Sequence, residues 1–139
     1  MTVNFEIKDF SALIYNGQEI DMHDHFDFIG DEYKITTREL ILKWIRSEDD
    51  GVKAYDFSNL ELIHSNVSFL NISYNYKEYK FPKDDNCLSE VTFFPSVDRG
   101  TNDNFIDQRM PGEGDDIIYT FQSGHFIRVG CENIQLVAK

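Results

Sequence analysis

The sequence predicts a mainly β protein, or an α+β protein with minor helix, built as an antiparallel β-sandwich or a strongly curled sheet. Three observations carry this. Short apolar runs alternate with polar residues at the two-residue period of half-buried strands, as at Val3, Phe5 and Ile7. Hairpin signals stand between such runs, at Asn16-Gly17 and Ser123-Gly124. The runs recur at roughly even spacing with turn residues between them.

Taken in order, the first run covers Val3 to Ile7. Leu13-Ile14-Tyr15 then enters Asn16-Gly17, where both central residues of a type I′ turn need positive φ, and Gln18-Glu19-Ile20 returns. Residues 36–46 carry two patterns. Thr36 and Glu39 fit a capping box with Leu40, Ile41, Trp44 and Ile45 on one helix face. Leu40, Leu42 and Trp44 also alternate against Ile41, Lys43 and Ile45, and the β-branched and aromatic content favours a strand. Leu60 to His64 alternates, Ser65-Asn66 is a turn or bulge, and Val67 to Ile72 carries the pattern on. Val91, Phe93 and Phe94 mark a strand stopped by Pro95. Ile117–Phe121 and Phe126–Val129 flank Ser123-Gly124, and Ile134, Leu136 and Ala138 alternate to the end. One or two short helices fit within residues 77–90. Residues 98–116 are polar and without period, a length of loop that is often functional, with Phe105, Ile106 and Met110 as apolar anchors.

A chain of 139 residues is expected to form one domain over 1–139. Cys87 and Cys131 are too few for a disulfide scaffold and are expected to be free thiols of a reducing compartment, with a single bridge between them as the alternative. The N-terminal stretch lacks a basic region followed by an apolar run, and no run reaches the roughly 20 apolar residues of a membrane span. A cytoplasmic protein without a membrane segment is expected.

Charge is the strongest functional signal. The net charge is −12, while 41% of residues are hydrophobic and 14% aromatic, so the acid is carried on a foldable chain. Such a surface repels nucleic acid and anionic membranes and attracts basic proteins. The acids cluster. Glu19, Asp21, Asp24, Asp27, Asp31 and Glu32 follow one another with no lysine or arginine between them, Glu48-Asp49-Asp50 forms a second group, and Asp98, Asp103, Asp107, Glu113, Asp115 and Asp116 stud the long loop. Phe26, Phe28, Tyr33 and Phe105 are the aromatic anchors interleaved with them. The expected partner-binding residues are Asp21, Asp24, Asp27, Asp31, Glu32, Asp98, Asp103, Phe105, Asp107, Glu113, Asp115 and Asp116.

Catalytic chemistry is poorly supported. His23 and His25 share one side if their segment is extended, and zinc could use them with His64 or His125, but no HExxH or CxxC companion exists. Asp84-Asp85 and Asp115-Asp116 are paired carboxylates in polar surroundings, expected to be solvated rather than perturbed for acid–base work. His64-Ser65 and Cys131 lack a nucleophile elbow, and Gly112-Glu113-Gly114 runs into two aspartates that would repel a phosphate. No catalytic residue, metal or cofactor is expected. Tyr74, Tyr76 and Tyr79 alternate and could display aromatic faces to a small ligand or carbohydrate, an alternative function for a β-sandwich module.

Arg38-Glu-Leu-Ile-Leu-Lys-Trp44, Leu60-Glu-Leu62 with Asn66-Val67, and Phe121-Gln-Ser-Gly-His-Phe-Ile-Arg-Val129 span most of the chain. In these segments, and in its acidity and size, it resembles the immunity proteins of bacterial polymorphic-toxin and contact-dependent growth inhibition systems. The resemblance implies an inhibitor that binds a cognate toxin domain, often a cationic nuclease, and blocks its active site or a neighbouring surface.

Overall fold

The structure, a computed structural model, describes residues 1–48, 55–73, 82–101 and 105–139. Twelve strands are described: β1 (Thr2–Val3), β2 (Glu6–Lys8), β3 (Ala12–Tyr15), β4 (Gln18–Asp21), β5 (Phe26–Lys34), β6 (Glu39–Arg46), β7 (Asn59–Ser65), β8 (Phe69–Ser73), β9 (Leu88–Pro95), β10 (Asp115–Phe121), β11 (Phe126–Gly130) and β12 (Asn133–Ala138). Helix is limited, among the described residues, to 3-10 turns at Pro82–Asp85 and Ser96–Asp98. The first falls inside the span 77–90 where helix was expected, and residues 77–81 lie outside the described ones.

The strands form three sheets. A five-stranded sheet runs β1-β12-β7-β6-β5, a four-stranded sheet β8-β11-β10-β9, and a three-stranded sheet β2-β3-β4. The two larger sheets face each other as a sandwich. Trp44 of β6 lies 6.0 Å from Tyr119 of β10, and Phe28 of β5 lies 4.8 Å from Phe121, between ring centroids. The small sheet closes the side next to β9, where Phe5 stacks on Phe93 and the Val91 N–H donates to the Phe10 carbonyl at 2.6 Å. All three sheets share one hydrophobic core.

Local sequence explains most of this. At Asn16 and Gly17 φ is +49° and +79°, and the turn joins β3 to β4. In β6, Leu40, Leu42 and Trp44 are buried while Ile41, Lys43 and Ile45 face outward. The strand pattern therefore wins over the helical one, because burial on one side rewards a period of two. Asn66, at φ +54°, turns the chain out of β7 and across to β8 in the opposite sheet. The alternation of Val3, Phe5 and Ile7 is divided rather than continuous: β1 pairs in parallel with β12, and β2 joins β3. The break falls at Asn4, whose side-chain amide donates to the Leu136 carbonyl at 3.0 Å and accepts from the Leu136 N–H at 2.8 Å, so the side chain stands in for the interrupted ladder.

Candidate functional site

Two groups of acidic residues, among the described residues, lie at opposite ends of β9. At the Leu88 end, the stretch from the end of β4 to the start of β5 carries Asp21, Asp24 and Asp27, and the Pro82–Asp85 turn adds Asp84 and Asp85. Asp21 organises its own turn by accepting from the backbone N–H groups of His23 and Asp24, each at 3.0 Å. The two segments meet where Phe28 N–H donates to the Asn86 carbonyl at 2.8 Å, and the β10–β11 turn is tied to the second of them by Ser123 N–H donating to the Asp84 carbonyl at 3.1 Å and Gln122 N–H to the Cys87 carbonyl at 3.0 Å. Burial first, and then the charges of Asp27, Asp24, Asp84 and Asp21, hold the Cys87 thiol above its ordinary range. Glu48 joins this end, since Ser47 N–H donates to the His25 carbonyl. Asp49 and Asp50 lie outside the described residues. Lys83 of the same turn is exposed.

A groove of about 450 Å³ runs alongside, between Phe28–Asp31 of β5 and Asp85, Asn86 and His125. A β-bulge creates its outer wall. The register of β5 on β6 shifts between Phe28 and Gly30, and Gly30 takes φ +139°, which only glycine adopts without strain. Ile29, the extra residue, is 58% exposed. Beyond the bulge, Asp31 and Glu32 are exposed, and Glu32 pairs with Lys43 at 3.0 Å.

At the Pro95 end of β9 the long loop is differently arranged. Register places Leu88 opposite Phe121 and Pro95 opposite Asp115, so the two acidic regions are separated by about 23 Å of strand. Here Asp116 is a correction to the expectation of solvated carboxylates. It lies inside the protein, 1% exposed, and accepts from Arg128 Nε at 2.8 Å and from Arg99 Nε and Nη2 at 2.9 Å. Arg128, fully buried on β11, also donates to the carbonyls of Pro95, Asp98 and Thr101, so one guanidinium gathers the start of the loop. Asp115 is likewise engaged, accepting from Gln108 and from Gly112 N–H, both at 2.7 Å. Phe105 is half-buried against Phe94, with centroids 5.5 Å apart, rather than displayed. Asp98, Asp107 and Glu113 are exposed, and Asp103 lies outside the described residues.

Of the twelve expected partner-binding residues, the structure brings together Asp21, Asp24, Asp27 and Asp31, with Glu32 beside them. It sets Asp98, Asp107 and Glu113 apart, and withdraws Asp115, Asp116 and Phe105 into structural contacts. Phe26 and Phe28 belong to the core. Sequence reasoning missed Asp84, Asp85, Asn86 and His125 as neighbours of the acidic turn, because only sheet topology joins these segments. It also missed Ile29, whose signal was Gly30 inside an otherwise strand-like run.

The histidines do not assemble. His23 Nδ1 donates to the Leu88 carbonyl at 2.6 Å, His25 Nδ1 meets Tyr55 Oη at 2.8 Å, His64 is buried between Leu40 and Tyr119, and His125 Nδ1 meets Ser123 Oγ at 2.8 Å. Among the described residues no group of three or more His, Cys, Asp or Glu is placed to hold a metal ion.

Two arrangements resemble nucleophilic pairs and fail as such. Cys87 Sγ is 3.6 Å from His23 Nδ1, but that nitrogen already donates its proton to Leu88, and the raised thiol stays protonated. Ser123 Oγ and Asp85 Oδ1, the latter at 3.6 Å, approach the same nitrogen of His125, whereas a relay needs them on opposite ring nitrogens. Ser123 is also buried at 2% exposure. Burial lowers the His125 pKa against the opposing pull of Asp85.

Cys87 and Cys131 are unbridged, and burial lifts the Cys131 thiol to about 12. Tyr74, Tyr76 and Tyr79 lie outside the described residues. Among the described residues no helix is long and apolar enough to cross a membrane. Compared with known protein families, curated proteins and solved structures, the chain gives no match.

Proposed function

We propose that this is a non-enzymatic binding protein of the cytoplasm, an immunity-type inhibitor that neutralises a basic protein such as a nuclease toxin. The observation that carries the proposal is that the Phe28–Asn86 backbone bond sets the segment of Asp24 and Asp27 beside that of Asp84 and Asp85, next to the groove lined by Asp31 and Asp85. Charge from distant parts of a chain gathered at one end makes a directed field rather than a general solubilising coat. Such a field speeds encounter with a cationic surface and repels the phosphates of nucleic acid. Exposed Ile29 and Tyr33, at 58% and 41%, supply apolar area beside the carboxylates that a bound partner would cover.

The test is association with the purified product of the adjacent reading frame, followed by stopped flow at rising salt. The expected result is an on-rate that falls steeply between low and physiological ionic strength, where the Debye length is about 8 Å. Absence of binding, or a rate indifferent to salt, overturns the proposal.

The groove favours a second reading, as a small-ligand site. Its volume of about 450 Å³ lies in the range of ligand pockets, and Asn86, Asp85 and His125 offer polar contacts beside the Phe28 ring. A glycan and metabolite screen by thermal shift checks it; a saturable hit competed by Asp85→Ala would favour this reading over protein capture.

A further inference from the structure

We propose that the open edge of β5, over residues 29–34, takes up an extended basic segment of the partner as an additional strand of the five-stranded sheet. The inference deepens the inhibitor reading above and rests on its assignment of a basic partner.

Among the described residues the edge is open and bounded. β5 ends the sheet order and, among the described residues, pairs with β6 alone. Near the start of β5, the Asn86 carbonyl caps the outward edge by accepting from Phe28 N–H. Past the bulge, no such cap is present among the described residues, and the groove leaves room there.

The alternation of the ladder identifies the free backbone groups. Arg46 N–H donates to Ser58 on the β7 side of β6. Antiparallel alternation then turns Ile45, Lys43 and Ile41 toward β5, where they face Asp27, Gly30 and Glu32. Asp31 and Tyr33 therefore direct their N–H and C=O groups outward. Unpaired edges of this kind template pairing with another chain.

Charge selects the occupant. Lys34 and Lys43 are neutralised by Glu39 at 2.8 Å and Glu32 at 3.0 Å. Asp31 makes no ion pair among the described residues, and it stands on the groove opposite Asp85. A second copy of this chain, also at −12, would set carboxylate against carboxylate. A neutral strand would cover Asp31 without compensating it. A strand with lysine or arginine at alternate positions presents its cations to Asp31 and Asp85 on one face. The aliphatic stems of those cations can then cover Tyr33, which shares the Asp31 face and is 41% exposed.

The experiment uses the full chain and a decapeptide alternating lysine with valine, alongside the same peptide N-methylated at every second amide. Methylation is placed on the lysine amides, which face β5 in the antiparallel register that sets lysine beside Asp31, so the methylated form keeps charge and side chains but cannot complete that ladder. Binding of the unmodified peptide about tenfold tighter than the methylated one is expected, with slowed hydrogen exchange at the Asp31 and Tyr33 amides. Tyr33→Pro should abolish the difference, because it removes an outward donor, and Tyr33→Ala should retain it. If Tyr33→Pro does not fold, the two peptides on the unaltered protein still decide. Equal, salt-sensitive binding of both peptides overturns strand addition and leaves electrostatic capture standing. Failure of both peptides, with a cationic protein still bound, does the same. Loss of all salt-dependent binding removes the inhibitor reading as well.

Discussion

Arg128 and Asp116 hold the beginning of the long loop against the outer face of the four-stranded sheet, on the side away from Tyr119 and Phe121. Both are at 1% exposure or less, so each depends on the other to offset the cost of leaving water. Asp116→Asn should therefore destabilise the protein by about 3–5 kcal/mol in urea unfolding, far more than the loss of a surface ion pair. Gly130 lies against the same network: an added Cβ would come within 2.7 Å of Asp116 Oδ1 and 2.9 Å of Arg99 Nη2. Gly130→Ala should cost about 1–3 kcal/mol by displacing that carboxylate. His64 makes stability depend on pH. Its Nδ1 donates to the Leu40 carbonyl and its Nε2 accepts from Tyr119 Oη, an arrangement that requires the neutral ring, and burial lowers its pKa from 6.5 to about 4. The unfolded chain takes up this proton near 6.5 and the native protein only near 4. The contribution is complete above pH 6.5 and lost as pH falls toward 4, by about 3 kcal/mol in all. Comparing unfolding at pH 7 and pH 5 in the protein and in His64→Gln should show this slope flattened in the variant.

Among the elements, turns separate what could be read from what could not. Asn16-Gly17 announces its hairpin, and Gly17→Ala should cost about 1 kcal/mol in thermal or urea unfolding, since φ is +79°. The β2–β3 hairpin turns through Asp9 and Phe10, at φ +50° and +60°, without glycine or asparagine. No local signal marks it. It persists because tertiary structure holds it, through the bond from Val91 N–H to the Phe10 carbonyl. β6 shows the reverse case, in which a capping-box pattern at Thr36–Glu39 loses to a strand. The turn before it places Arg38 at φ +51°, and the alternating face of Leu40, Leu42 and Trp44 is covered by the opposite sheet.

For the whole molecule, the two acidic regions should behave as separable. Asp24→Lys with Asp27→Lys is expected to lower the on-rate for a basic partner by tenfold or more at low salt. Asp107→Lys with Glu113→Lys changes net charge equally but sits at the far end of β9, and should change the rate by no more than about threefold. Equal effects from both pairs would return the charge to a general role.

The sequence by itself determined the β class, the two glycine hairpins, the buried faces of β6, β7 and β12, and the acidity of the chain. These are local quantities: side-chain period, turn chemistry and net charge need only near neighbours in the chain. Only the tertiary structure decided which acids share a surface. Sheet order brings Asp84 and Asp85 to Asp24 and Asp27, and sends Asp107 and Glu113 to the other end. It also buries Asp116 because Arg128, twelve residues away, faces it across β10 and β11. A carboxylate looks the same in sequence whether water or a guanidinium compensates its charge, and the choice is made by strands that pair across the chain.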